Sequence, residues 1–447
     1  MNGEIDLESV REDFPALACR RNGKPPIYFD SACTTLVPRQ VIAAIDQYYA
    51  NYPACGGERS QHWFADEVNN QIEGDTDNEI HGSRQMIAEF INARSPQEII
   101  FTLNTTHAIN MVALGFRFQP GNVVLLTDRE HNSGLIPWLR LQNRGLIKVD
   151  RLVSGSGEIF DLDGFRRRLE SQEVRLVSMV YTSNLTGYTI PAKEMIKVAH
   201  EHGVKVMLDG AQTVPHEAID VQDLDVDFLA FSIHKMCGPK GVGVLYGKKE
   251  LLDYESAGGG GSDGAVEPVI LGGGTVVDSN YGDYNLAEVP TRFEAGIQNY
   301  PGQIGAGAAV QYLQNIGMAR VKAHEIKLNN FLTEQLINRY GDTGWFRVLG
   351  PQSAAERGGI LSFALRRPNC FGISQELSER SNIMIRGGAF CVHSYLNHEF
   401  GADWLKPGLP TEHLMTYRIS LYFYNTMEEC PVFLDTLNTI FEERGYL

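Results

Sequence analysis

Asp227-Phe-Leu-Ala-Phe-Ser232-Ile-His234-Lys235-Met-Cys-Gly238-Pro239-Lys240-Gly241 decides how this chain is read. A short apolar run ends in a Ser-x-His-Lys turn and is closed by glycine and proline. Upstream, a second run, Val204-Lys-Val-Met-Leu208, ends in Asp209. Brief, nearly continuous apolar runs bounded by turn residues have the character of buried strands in a parallel sheet. Asp209 and Lys235 then stand at the ends of two such strands.

Working outward, the same texture recurs. Glu98–Leu103, Val123–Thr127, Val174–Tyr181, Val204–Asp209, Phe228–Ser232 and Val242–Tyr246 predict strands, with helical patterns such as Ala192–His202 between several of them. The alternation predicts an α/β unit whose mostly parallel sheet is covered on both faces. Ligands of such sheets sit at the carboxyl ends of the strands. Thr102–Thr106, Asp128–His131, Ser183-Asn184, Asp209 and Ser232–Lys235 would collect there. After about residue 303 the texture changes to long helical segments followed by Gly359–Leu365 and Arg418–Phe423, the pattern of a smaller α+β unit. Glu255–Gly264 is a flexible loop by composition. Asp66–Gly82, rich in Asp, Asn and Glu, is expected to be a solvated helix or loop.

Composition narrows the function classes. The 447 residues are 43% hydrophobic, enough for a large core and two domains. A formal net charge of −16 argues against nucleic acid or an anionic membrane as the main partner. No stretch approaches the length of a membrane span, and the opening residues lack a secretory pattern. The seven cysteines are scattered, without a Cys-x-x-Cys pair, as expected of reduced thiols in the cytoplasm.

A carboxylate and a lysine, each at the end of a predicted buried strand, fit the needs of pyridoxal phosphate. The lysine amine holds the aldehyde as a Schiff base, and the carboxylate keeps the pyridine nitrogen protonated. Such a site also holds a phosphate. Asn104-Thr105-Thr106 opens a predicted helix, His107–Phe116, and offers backbone N–H groups and two hydroxyls; simple N-capping is the alternative. Ser232 and His234 add donors from the lysine loop. The glycine-rich stretches lend little support to a nucleotide site. His131 follows a strand and is suited to lie over a flat cofactor or to be structural. Lys240 is the rival to Lys235, but it stands in a turn beyond the strand end. Cys391, in Arg386-Gly-Gly-Ala-Phe-Cys391-Val-His393, lies in a glycine-bearing accessible segment, where a nucleophile or an inert thiol both fit. A Cys391/His393/His398 metal cluster matches no standard zinc spacing.

Together these motifs resemble the class V, fold-type I pyridoxal-phosphate family, nearest its SUF-type cysteine desulfurases and selenocysteine lyases. The resemblance runs nearly end to end. It includes Tyr28-Phe-Asp30-Ser-Ala32, Thr105-Thr106-His-Ala-Ile-Asn110, Glu130-His131, Leu208-Asp209-Gly-Ala-Gln212, Asp227–Gly243, Leu271-Gly-Gly-Gly-Thr275, Arg292-Phe-Glu-Ala-Gly296, Arg386–Cys391 and Arg418–Asn425. It implies a mostly parallel seven-stranded sheet sandwiched by helices in a large domain over 27–303. Residues 1–26 would form an arm joining a small α+β domain over 304–447. It implies Lys235 as the Schiff-base residue, Asp209 at the pyridine nitrogen, and Gln212 and Asn184 near the ring hydroxyl. His131 would stack on the ring, and Thr105, Thr106, Ser232 and His234 would hold the phosphate. Thr275 would reach the phosphate of a neighbouring subunit, hence a homodimer with shared sites. Arg418 would grip the substrate carboxylate with Arg386 nearby, and Arg59 and His62 would stand near the entrance.

Cys391 would form the persulfide. Its thiolate would attack the sulfur of L-cysteine after the α-proton passes to Lys235, releasing alanine and leaving sulfur for an acceptor protein. Selenocysteine is the parallel substrate. Departures from the family pattern are Ala389 and Phe390 where two histidines are usual, His107 for an acidic residue, Ile297 after Glu-Ala-Gly, and a longer acidic region. They leave open a C–S β-lyase, aminotransferase or epimerase, and, remotely, a non-catalytic scaffold.

Overall fold

The computed structural model describes residues 4–57, 59–75, 77–154, 160–171, 173–253, 264–400 and 414–447. Apart from Gly264, the expected glycine-rich loop lies outside them. A seven-stranded sheet is built from β1 (Ile99–Thr102), β2 (Val123–Thr127), β3 (Lys148–Leu152), β4 (Val174–Val180), β5 (Lys205–Asp209), β6 (Phe228–Ser232) and β7 (Gly243–Gly247). Their order is β1-β7-β6-β5-β4-β2-β3, and only β7 runs against the rest. Strand alternation sends Val206, Leu208, Leu229 and Phe231 into one core and Met207, Phe228 and Ala230 into the other. Helices Ala192–Glu201 and Tyr300–Ile316 contribute to the first core, and helices Thr105–Gly115 and Asn132–Asn143 to the second. This is the expected fold class. β3, which the sequence reading did not pick out, is an edge strand whose Lys-Val-Asp-Arg-Leu pattern keeps its polar residues at the surface.

After the large sheet comes a hairpin, β8 (Val276–Ser279) and β9 (Tyr284–Leu286). A second, antiparallel sheet follows, from β10 (Phe346–Leu349), β11 (Ile360–Arg366), β12 (Arg386–Gly387) and β13 (Leu414–Ser420), in the order β10-β11-β13-β12. Its core takes Leu328, Leu332 and Leu336, spaced four apart on helix Met318–Tyr340, and Phe433, Leu437 and Phe441 from helix Glu429–Glu443. Helix Tyr300–Ile316 runs unbroken through residue 303 and packs on helices Arg39–Asn51 and Ser83–Phe90. The N-terminal segment reaches the C-terminal one, with the Arg11 guanidinium donating to Glu429 at 2.9 Å. Asp66–Gly82 begins as helix Trp63–Ile72, which buries Ala65, Val68 and Ile72, and ends in a turn capped by Asp75. Among the described residues no helix is long and apolar enough to cross a membrane.

Candidate active site

Parallel register brings the carboxyl ends of β4, β5 and β6 together, pairing Val180 with Asp209 and Asp209 with Ala230. Asp209 is buried there, and one of its oxygens accepts the Ala211 N–H at 3.0 Å. Desolvation raises its pKa, against the pull of Lys235. Lys235 ends the single turn Ile233–Lys235 that follows β6. The turn is pinned because the His234 carbonyl accepts the Thr35 N–H at 2.9 Å and the hydroxyls of Thr34 and Thr35 at 3.1 Å. Burial lowers the Lys235 amine to about 8, while Asp209 raises it and Arg418 lowers it further.

Gly243 lets β7 pass close beside the turn at Asn104, where a Cβ would meet the Asn104 backbone at 2.5 Å. Asn104 caps helix Thr105–Gly115 by accepting the His107 N–H at 3.0 Å. The Thr105 N–H donates to Ser232 Oγ at 2.8 Å, and the Thr105 and Ser232 hydroxyls meet at 2.6 Å. Thr106 Oγ1 meets Ser133 Oγ at 2.6 Å. His131 caps the next helix, its Nδ1 accepting the Ser133 N–H at 3.1 Å, which leaves the ring proton on Nε2. Burial, then Lys235 and Arg418, hold His131 down to about 4. His234 is likewise lowered to about 4, by burial and then by Lys235 and Lys240.

From the second sheet, Arg418 reaches across. Its guanidinium donates to the Asn184 carbonyl at 3.1 Å and to Asp30 Oδ1 at 3.2 Å, and its Nε has no partner among the described residues. Arg386 flanks the other Asp30 oxygen at 3.7 Å. Gln212 Nε2 donates to the Ala32 carbonyl and Asn184 Nδ2 to the Phe390 carbonyl, both at 2.8 Å. The remaining amide oxygens, Gln212 Oε1 and Asn184 Oδ1, are buried and have no partner among the described residues. Cys391 is exposed.

These groups line one cavity of about 300 Å³: Thr105, Thr106, His131, Asn184, Asp209, Gln212, Ser232, His234, Lys235, Arg386, Cys391 and Arg418. Four sequence-derived candidates lie elsewhere in this chain. Thr275 is buried in its own turn, its hydroxyl donating to the Gly272 carbonyl at 2.9 Å. Arg59 and His62 are exposed, and His62 Nδ1 caps helix Trp63–Ile72 by accepting the Ala65 N–H. Lys240 does not line the cavity. Among the described residues no group of three or more His, Cys, Asp or Glu could hold a metal, so Cys391, His393 and His398 form no such cluster.

The sequence reading gave no role to four residues that shape the site. Cys33 and Ser133 line the cavity, Asp30 bridges the two arginines, and Glu130 lies behind it. One Glu130 oxygen accepts the Val180 N–H at 2.9 Å and the Thr127 hydroxyl at 2.5 Å, and burial raises its carboxyl to about 8. Asp30 and Glu130 stand inside motifs quoted above, but the partners that give them a role, Arg386, Arg418 and the Val180 N–H, come from elements distant in the chain.

The donor set fits pyridoxal phosphate. Hydroxyls and a helix N-terminus gather at one end for a phosphate. A buried carboxylate sits at the base for a protonated ring nitrogen. The orphaned amide oxygens of Asn184 and Gln212 can accept from a ligand, and a desolvated amine stands ready to condense with an aldehyde.

The aminotransferase class-V family model matches residues 27–433. A probable cysteine desulfurase of Streptomyces coelicolor is 34% identical, covering 98% of this chain and 98% of that one. An apo cysteine desulfurase structure from Thermococcus onnurineus superposes with a TM-score of 0.83 at 32% identity, covering 99% of both chains. The structure of an Escherichia coli cysteine desulfurase in an S-sulfonic acid form gives a TM-score of 0.82 at 29% identity, covering 98% of this chain and 99% of that one.

Proposed function

This chain belongs to the aminotransferase class-V family, and we propose that it is a pyridoxal-phosphate-dependent cysteine desulfurase that carries the abstracted sulfur on Cys391. The observation that carries the proposal is a thiol, Cys391, lining the same cavity as a buried lysine–carboxylate pair and an arginine clamp. Lys235, Asp209, Gln212, Asn184, His131, Thr105, Thr106, Ser232 and His234 would hold the cofactor. Bound there, it supplies the electron sink for charge left at the substrate α-carbon.

The chain's own groups do the rest. Arg418 and Arg386 share the single carboxylate of Asp30, so the clamp keeps one positive charge for the substrate α-carboxylate. Lys235 takes the α-proton on Nζ, a task suited to an amine lowered to about 8. His131 stays neutral, with Nε2–H available to the cavity. The Cys391 thiolate attacks the substrate sulfur: an S–S bond forms as the C–S bond breaks, so L-cysteine becomes L-alanine and Cys391 becomes a persulfide. Exposure of Cys391 supports onward transfer to an acceptor protein. A homodimer completed by Thr275 of the other copy is supported by the apolar residues bared on the Thr275 segment, Val277 at 73% and Ile297 at 81% exposure. All seven cysteines are free, which supports a reducing, cytoplasmic setting.

The test is incubation of the cofactor-loaded protein with L-cysteine and identification of the product. Alanine with one persulfide on Cys391 is expected, and Cys391→Ala abolishes both while the cofactor absorption persists. Pyruvate with ammonia, or a keto acid, or undiminished turnover by Cys391→Ala would overturn the reading.

A further inference from the structure

The residue before the thiol departs from the resemblance, and its surroundings are the most specific on this wall of the cavity. Phe390 and Cys391 are consecutive non-glycine residues with left-handed backbones, φ 50° and 60°. Side chains resist that conformation, so surrounding contacts must hold it. Those contacts are identifiable. Asn184 Nδ2 donates to the Phe390 carbonyl at 2.8 Å, and the Asn132 N–H donates to the Cys391 carbonyl at 2.7 Å. Val392, on the far side, is buried with Leu185, Leu349 and Tyr395.

Held this way, the Phe390 ring is buried and lies under the Arg418 guanidinium, whose central carbon is 4.8 Å from the ring centroid. Arg418 needs such a neighbour. It is almost fully buried, it shares the Asp30 carboxylate with Arg386, and two of its nitrogens are already committed to Asn184 and Asp30. An aromatic face takes up part of a desolvated cation's charge while occupying none of its N–H groups. It also fixes the plane of the fork, and bidentate recognition of a carboxylate depends on that plane. A leucine would fill the same space without either property.

We infer that Phe390 is a positioning residue that orients and dries the Arg418 fork, and so sets the site's preference for amines bearing an α-carboxylate. This rests on the reading of the cavity as a pyridoxal-phosphate amino-acid site. It is independent of whether the sulfur goes to Cys391.

The test compares Phe390→Leu and Phe390→Tyr with the wild type, each loaded with cofactor and checked by thermal unfolding. Two probes are read by cofactor absorption: the dissociation constant of L-alanine, and the rate of reaction with methoxyamine, which has no carboxylate. Phe390→Leu is expected to weaken L-alanine about tenfold and to leave the methoxyamine rate within about twofold, while Phe390→Tyr keeps both. With L-cysteine as substrate, the loss should fall on KM more than on kcat. Equal loss toward both probes would mean a merely structural role and overturn the inference. So would an unchanged L-alanine constant in Phe390→Leu, or a loss in Phe390→Tyr as large as in Phe390→Leu. Should Phe390→Leu not fold, Phe390→Met reads the same contrast. A wild type that yields no alanine from L-cysteine would sink the desulfurase proposal and leave this comparison intact.

Discussion

Lys235 shows how a single residue's environment sets its chemistry. An exposed lysine amine is protonated at neutral pH, but burial brings this one to about 8, and only Asp209 and weaker thiol contributions pull it back up. The neutral amine is the form that condenses with an aldehyde or accepts a proton. Cofactor capture by the cofactor-free protein should therefore speed up as pH rises and level off above about 8. Removing the charge that raises the amine, in Asp209→Asn, should move that inflection to lower pH. His131 and His234, both lowered to about 4, contribute no step near 6.5. Stopped-flow absorbance across pH 6 to 10 checks all three points, and an Asp209→Asn inflection above the wild-type one would contradict the assignment. Lys235 and Asp209 were legible in the sequence because Asp209 ends an apolar strand and Lys235 follows one by a single turn. Phe390 was legible only as a departure, since its ring meets Arg418 through a loop conformation that no pattern of residues announces.

Elements were readable where burial wrote a period into the chain. β1, β2 and β4 to β7 are apolar runs because helices cover both sheet faces. At the C-terminal end the apolar run Arg418–Phe423 is strand only in part, because β13 spans Leu414–Ser420. The aromatics beyond it leave the sheet and are buried: Phe423 packs on Phe14 and Tyr312, Tyr424 on Phe14, and Tyr422 on His216. Apolarity reports burial, and strand pairing has to be inferred separately. Ties between elements are less visible still. Arg84 and Glu294 form a buried bidentate pair at 2.7 and 3.0 Å, and Glu294 also accepts the Phe101 N–H at 2.7 Å, fastening the Glu-Ala-Gly segment to β1. Glu294→Ala leaves a buried guanidinium short of a partner and a buried N–H without an acceptor. A loss of about 3–5 kcal/mol is expected, read as a lower denaturation midpoint. Glu294→Gln, which keeps an acceptor, should lose less; midpoints for both variants equal to the wild type's would show that the pair contributes little.

At the scale of the whole molecule, the cavity is a joint between two sheets: Asp209 and Lys235 come from one, Arg386 and Arg418 from the other. Single-chain geometry also leaves something over. The segment carrying Thr275 sits outside its own cavity and shows Val277 and Ile297 to solvent, with Tyr281 fully exposed at the hairpin tip. If a second copy covers this segment and brings Thr275 to the phosphate end of the site, then association and cofactor retention must be linked. Val277→Asp with Ile297→Asp puts two carboxylates into the proposed interface without touching any group that lines the cavity. Sedimentation velocity at micromolar concentration should show a dimer for the wild type and a monomer for the double variant. The monomer should hold pyridoxal phosphate more weakly by about tenfold or more, the scale of one lost hydrogen bond to a charged group. Thr275→Ala should reproduce that weakening while remaining dimeric. A monomeric double variant that holds the cofactor as tightly as the wild type would separate assembly from the site and remove Thr275 from it.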